Sequence, residues 1–138
     1  AMLTMKKEHY ETILQHCRDG LPNESCGLLA GTIAGDQKVI EKVYLLTNID
    51  ASREHFSMDP REQLAAVKDA RANGLTLIGN FHSHPESPSR PSEEDKRLAY
   101  DPNAEYLILS LQDEEQPILR AFGIDKEKQV TIHEIAYV

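Results

Sequence analysis

Two histidines one residue apart stand in the run Gly79-Asn80-Phe81-His82-Ser83-His84-Pro85, and Ser92 and Asp95 follow beyond a short loop. Alternate side chains of an extended strand share a face, so His82 and His84 can offer two imidazoles to one ion while Phe81 and Ser83 point the other way. Pro85 ends such a strand directly after the second imidazole. A helix beginning at Ser92 carries Asp95 in its first turn, from where the carboxylate can swing back toward the strand's end. Two nitrogens, one carboxylate oxygen and an open fourth position describe a catalytic zinc, whereas structural zinc is usually closed by four side chains rich in Cys. Other divalent ions suit the same donors, because affinity alone does not select among them. The plainer reading of Ser92 and Asp95 is a cap: Ser92 as N-cap, an acidic N3 side chain reaching back, and Asp95 favoured by the helix's positive end. The two readings are compatible, since a helix N-terminus keeps Asp95 ionised and fixes where Ser92 points.

These residues need a frame, and hydrophobic periodicity outlines one. Tyr10, Ile13, Leu14 and Cys17 recur at three- and four-residue spacing between Met5 and Arg18, which predicts an amphipathic helix that Gly20 and Pro22 stop. Strands are expected over Ser25 to Ile33 and Lys38 to Thr47, joined by a turn at Gly35-Asp36. Pro60 is placed to open a helix that runs to Asn73-Gly74, with Leu64, Val67 and Ala70 on one face. Leu75 to His84 then reads as a strand, Ser92 to about Tyr100 as a helix, and Glu105 to Leu111, Ile118 to Ile124 and Val130 to Tyr137 as three further strands. The order α-β-β-α-β-α-β-β-β suits one mixed sheet covered by helices, and its short turns require that part of the sheet be antiparallel.

A length of 138 residues suits one domain with its own core, so a single domain over 1–138 is expected. No apolar run approaches the roughly 20 residues that cross a bilayer, and the first residues lack a secretory signal, so no membrane contact and a cytoplasmic setting are expected. Fifteen basic against 23 acidic residues, a formal charge of -8, disfavours nucleic acid, whose binding rests on Lys and Arg. Cys17 and Cys26 fall in different elements and are expected to be reduced. Cys26, in an apolar strand, reads as a small buried hydrophobe and not as a nucleophile. His9, His16, His55 and His133 are assigned to surface or packing, while Arg53 and His55 lie in an irregular segment that could border a cleft.

The joint pattern, His-x-His-Pro, a short loop and Ser-x-x-Asp, resembles the JAMM signature of the MPN-domain metalloproteases. That family carries an upstream glutamate before a strand near the N-terminus, and Asn23-Glu24-Ser25-Cys26-Gly27-Leu28-Leu29-Ala30-Gly31 is similar to that segment. The resemblance runs from this strand to about Leu111. It implies an α/β fold, a mixed β-sheet flanked by helices and similar to cytidine deaminases. It implies Zn2+ held by His82, His84 and Asp95, with Glu24 as general base for an activated water and Ser92 as donor to the oxyanion. The chain looks closest to stand-alone bacterial and archaeal members, which act on ubiquitin-like or sulfur-carrier proteins at a bond beyond a terminal Gly-Gly. Such a Gly-Gly-tailed protein is therefore the expected partner. Two rival functions are an isopeptidase that removes a ubiquitin-like modifier from lysine and a non-catalytic MPN interaction module. Silent members have usually lost a metal ligand, and here all five site residues are present.

Overall fold

The fold is described from a computed structural model covering residues 2–138; Ala1, within the span expected as one domain, lies outside the described residues. Strand β1 (Met2–Met5) leads into helix α1 (Lys7–Gly20), followed by the hairpin β2 (Cys26–Ala34) and β3 (Gln37–Leu46). Gly35 closes that hairpin at φ +63°, a left-handed conformation that costs glycine nothing. Helix α2 (Pro60–Ala72) begins as expected: Asp59 caps it by accepting from the amides of Arg61 and Glu62, and Pro60 occupies the first turn. Strand β4 (Thr76–His84) carries both histidines. Helix α3 (Glu93–Arg97) is only five residues long, shorter than the span to Tyr100 expected. Strands β5 (Glu105–Ser110), β6 (Ile118–Ile124) and β7 (Val130–Tyr137) complete the chain.

The sheet is mixed, as expected, and it is also closed, which the order of elements does not specify. Its strands close into a barrel in the order β1-β3-β2-β4-β5-β6-β7. The closing strand, β1, went unassigned in the sequence because four residues without alternation carry no strand signal. It runs parallel to β3 on one side, from Met2↔Gln37 to Thr4↔Val39, and parallel to β7 on the other, from Met2↔Glu134 to Met5↔Tyr137. The two hairpins are antiparallel, as the short turns require, and β4 runs parallel to β5.

Alternation along the strands divides the buried residues into two clusters. Leu29, Phe81, Leu107 and Leu109 point inward, where Ile13 and Cys17 of α1 join them. Cys26, Leu28 and Leu46 point outward, where Ala66 of α2 covers them together with Tyr44, Phe56 and Met58. The first six residues of β2, Cys26 to Gly31, are therefore buried on both faces, which is why that stretch lacks polar alternation, while Thr32 to Ala34 are exposed. His16 fixes α1 against the hairpin: its Nε2 lies 3.1 Å from the carbonyl oxygens of both Cys26 and Leu46, so that nitrogen donates to them. His133 packs at the far end of β5, with its Nδ1 2.7 Å from Glu105. No helix among the described residues is long and apolar enough to cross a membrane.

Candidate metal centre and active site

Strand register brings the distant residues together. Cys26 of β2 lies opposite His82 of β4 in an antiparallel pair. One residue further, the Ser83 amide donates to the Ser25 carbonyl at 3.0 Å, and the Ser25 amide donates to Ser83 Oγ at 2.9 Å. Continuing that register sets Glu24 across from His84. The backbone of Glu24 is clamped by the segment after β3: its amide donates to the Ser52 carbonyl at 2.8 Å, and its carbonyl accepts from Asn48 Nδ2 at 2.9 Å. Glu24 is 6% exposed.

On the outer face of β4 the donors converge. His82 Nε2 and His84 Nε2 lie 3.1 Å apart, and Asp95 Oδ2 lies 3.2 Å from the first and 3.1 Å from the second. Donors held about 2.0–2.1 Å from a tetrahedral ion stand about 3.3 Å apart, so this triangle has nearly the size of one face of a zinc tetrahedron. Tautomer chemistry agrees. His84 Nδ1 lies 2.9 Å from the Pro88 carbonyl, which can only accept, so Nδ1 bears the proton and Nε2 turns a lone pair into the triangle. The residues present thus fit a divalent cation. Asp95 is held from the helix side: its Oδ2 accepts from the Ser92 amide at 2.9 Å, while Ser92 Oγ accepts from the Asp95 amide at 3.0 Å. This is the capping box expected from the sequence, and it leaves the Ser92 hydroxyl proton available to a third group.

Charges respond to this packing. Burial alone would raise Asp95, but hydrogen bonds from His82 and His84, with the Ser92 amide, outweigh it and hold the carboxyl well below the usual carboxylate range. Full burial pushes His82 down despite Asp95. Burial opposes protonation of His84 too, yet Asp95 and the Pro88 carbonyl prevail and raise it. Glu24 is pushed up to about 8 by burial, with Asp95 adding to the effect and His84 opposing it. Cys17 and Cys26 are both free and buried, and burial pushes each thiol up to about 12, which leaves neither as a nucleophile.

Two cavities flank the triangle. A polar cleft of about 340 Å³ is lined by Glu24, His84 and Ser92 together with Arg53, Glu54 and Glu86. An apolar cavity of about 60 Å³ lies against His82 and Asp95, bordered by Phe56, Leu98, Tyr106 and Ile124. Of the two residues expected near a cleft, Arg53 lines it, with Nη1 3.2 Å from Glu86, whereas His55 does not and instead meets Glu94, on the apolar cavity, through Nδ1 at 2.8 Å. Phe56 escaped notice in the sequence. Its ring stacks on His82 with centroids 4.6 Å apart and planes inclined by 25°. His82 Nδ1, unlike that of His84, is buried with no hydrogen-bond partner among the described residues. Phe56 sits in an irregular segment, where no periodicity flags it. Asn80, on the apolar cavity, could have been found from its alternation with His82.

A barrel with a His-His-Asp triangle that could hold a metal ion, beside a buried glutamate and a capped serine, narrows the class of protein, and comparison with known proteins specifies the family. Residues 6–124 match the model of the prokaryotic homologs of the JAB domain, and the chain belongs to that family. It is 33% identical over 113 residues to a protein named desampylase from Haloferax volcanii, covering 78% of this chain and 80% of that protein. It is 30% identical over 126 residues to a protein named CysO-cysteine peptidase from Mycobacterium tuberculosis, covering 89% of this chain and 83% of that protein. The solution structure of a Desulfitobacterium hafniense protein, 54% identical, superposes with a TM-score of 0.91 over 99% of this chain and 93% of that one.

Proposed function

We propose that this chain is a zinc-dependent peptidase that hydrolyses the bond after the C-terminal Gly-Gly of a ubiquitin-like or sulfur-carrier protein. The observation that carries this reading is the donor triangle of His82, His84 and Asp95 with Glu24 and Ser92 lining the adjoining cleft. Similarity to proteins named desampylase and CysO-cysteine peptidase supports hydrolysis of a carrier conjugate over a silent binding module.

In this reading His82, His84 and Asp95 hold the ion. Bound there, zinc would lower the pKa of water from about 15.7 toward about 7, polarise the scissile carbonyl, and draw Glu24 down into a working range. Glu24 takes a proton from the attacking water and delivers it to the departing nitrogen as the C–N bond breaks. Its buried site suits both halves of that task, because a carboxyl near neutrality gives up a proton as readily as it accepts one. Ser92 donates a hydrogen bond from its hydroxyl, which the capping box leaves free, to the oxygen that gains negative charge. Asp95, kept ionised, offsets the cation's charge.

The test is incubation of the zinc-loaded protein with two substrates: a sulfur carrier extended beyond its Gly-Gly, and the same carrier joined through Gly-Gly to a lysine side chain. Release of the carrier ending in Gly-Gly from the first supports the peptidase. Release from the second alone would make the chain an isopeptidase, and release from neither would leave a binding module.

A further inference from the structure

Arg53 lies in the cleft that holds Glu24, yet nothing in the chemistry above uses it. Glu24 must deliver a proton to the departing nitrogen and so must come within hydrogen-bond reach of it. The departing residue therefore lies on the Glu24 side of the donor triangle, in the polar cleft, and not in the apolar cavity beside His82. Among the described residues lining that cleft Arg53 is the one permanent cation, and it shares the cleft with Glu54 and Glu86. Its bond to Glu86 is made with side chains 61% and 66% exposed, an ion pair of the kind that contributes little and exchanges easily.

We infer that Arg53 is a specificity-determining residue that receives the α-carboxylate of a single amino acid leaving from the carrier's C-terminus. This rests on the peptidase reading above and names the substrate class: a linear, one-residue extension in preference to a lysine-linked conjugate. In a C-terminal amino acid the carboxylate carbon is two bonds from the nitrogen, so its oxygens lie within roughly 4 Å of the atom that Glu24 protonates. In a lysine-linked conjugate the same nitrogen ends a four-carbon stem, with no charge nearby. A planar guanidinium matches a carboxylate with two parallel hydrogen bonds. Without Arg53 the cleft would be acidic, because Glu54 and Glu86 remain, and it would repel the carboxylate.

The experiment compares a sulfur carrier bearing one residue after Gly-Gly as the free acid with the same carrier as the C-terminal amide. An exposed ion pair contributes about 0.2–1 kcal/mol, so wild type should favour the acid in kcat/KM by roughly 1.5- to 5-fold. Arg53→Gln should bring the acid-to-amide ratio to one or below, mainly through KM, and Arg53→Lys should restore part of it. Glu86→Gln, by removing the competing partner, should raise the ratio. Equal use of acid and amide by wild type, or an equal loss on both in Arg53→Gln, would overturn the assignment. Cleavage of a lysine-linked conjugate alone would also overturn it while sparing the hydrolase reading; no cleavage of any substrate by the zinc-loaded protein would overturn both.

Discussion

Phe56 supplies what the hydrogen-bonding of His82 lacks. A metal-ligating histidine usually has its second nitrogen fixed by a carbonyl or carboxylate, as Pro88 fixes His84 at 2.9 Å. His82 Nδ1 has no such partner, and the ring is held instead by Phe56 stacked at 4.6 Å. Replacing Phe56 with Leu retains apolar volume but removes the flat face that sets the imidazole plane. A stacked aromatic pair is worth about 0.5–1.5 kcal/mol beyond its area, so zinc affinity should fall roughly 2- to 12-fold. Phe56→Tyr should keep most of it. Competition with a chromophoric chelator measures the dissociation constant without reference to turnover, and thermal melting of the metal-free variants controls for folding. Unchanged affinity in Phe56→Leu would refute the positioning role, and a simultaneous loss of turnover would assign Phe56 to substrate in the apolar cavity that it borders.

Ser92→Ala should lose the cap, about 1 kcal/mol of stability, and with it roughly 10²- to 10³-fold in kcat; the same loss of stability with kcat intact would leave Ser92 as a cap only. In metal-free protein, Glu24 ionises at about 8 when folded against an ordinary value of 4.5, so the folded state binds the extra proton and stability falls as pH rises between these values. The gap in Tm between Glu24→Gln and wild type should therefore widen from pH 5 to pH 8.5, and a gap independent of pH would contradict a buried Glu24. Gly79→Ala should lower the urea midpoint by the equivalent of roughly 1–3 kcal/mol, because its Cβ would collide with the Glu105 carbonyl oxygen and part β4 from β5; an unchanged midpoint would dispute that pairing.

Local chemistry made most elements and the donor set legible. Alternation put His82 and His84 on one face and Phe81 in the core, and Pro60 and Asn73-Gly74 bounded α2 as their backbone preferences dictate. What stayed hidden depended on long-range pairing. Nothing in Met2–Met5 announces a strand; it exists because β3 and β7 lie on either side of it. Ile108 faces the apolar cavity only because β5 pairs in parallel with β4, opposite His82, which spacing cannot reveal. Arg53 and Phe56 belong to an irregular segment whose course is set by contacts such as Asn48 with Glu24; that Arg53 could border a cleft was legible, but the stacking of Phe56 on His82 emerges only with the fold.

The central claim is that His82, His84 and Asp95 carry a zinc ion and Glu24 moves the proton, and the intact mass of one substrate tests it directly. A sulfur carrier with residues added after Gly-Gly is incubated with metal-stripped protein, with zinc-restored protein and with zinc-loaded Glu24→Gln, the bound zinc being quantified in each. The account predicts a mass loss equal to the added residues with zinc-restored wild type alone, and full zinc occupancy in Glu24→Gln. Cleavage by the stripped protein, or an active Glu24→Gln, would contradict it.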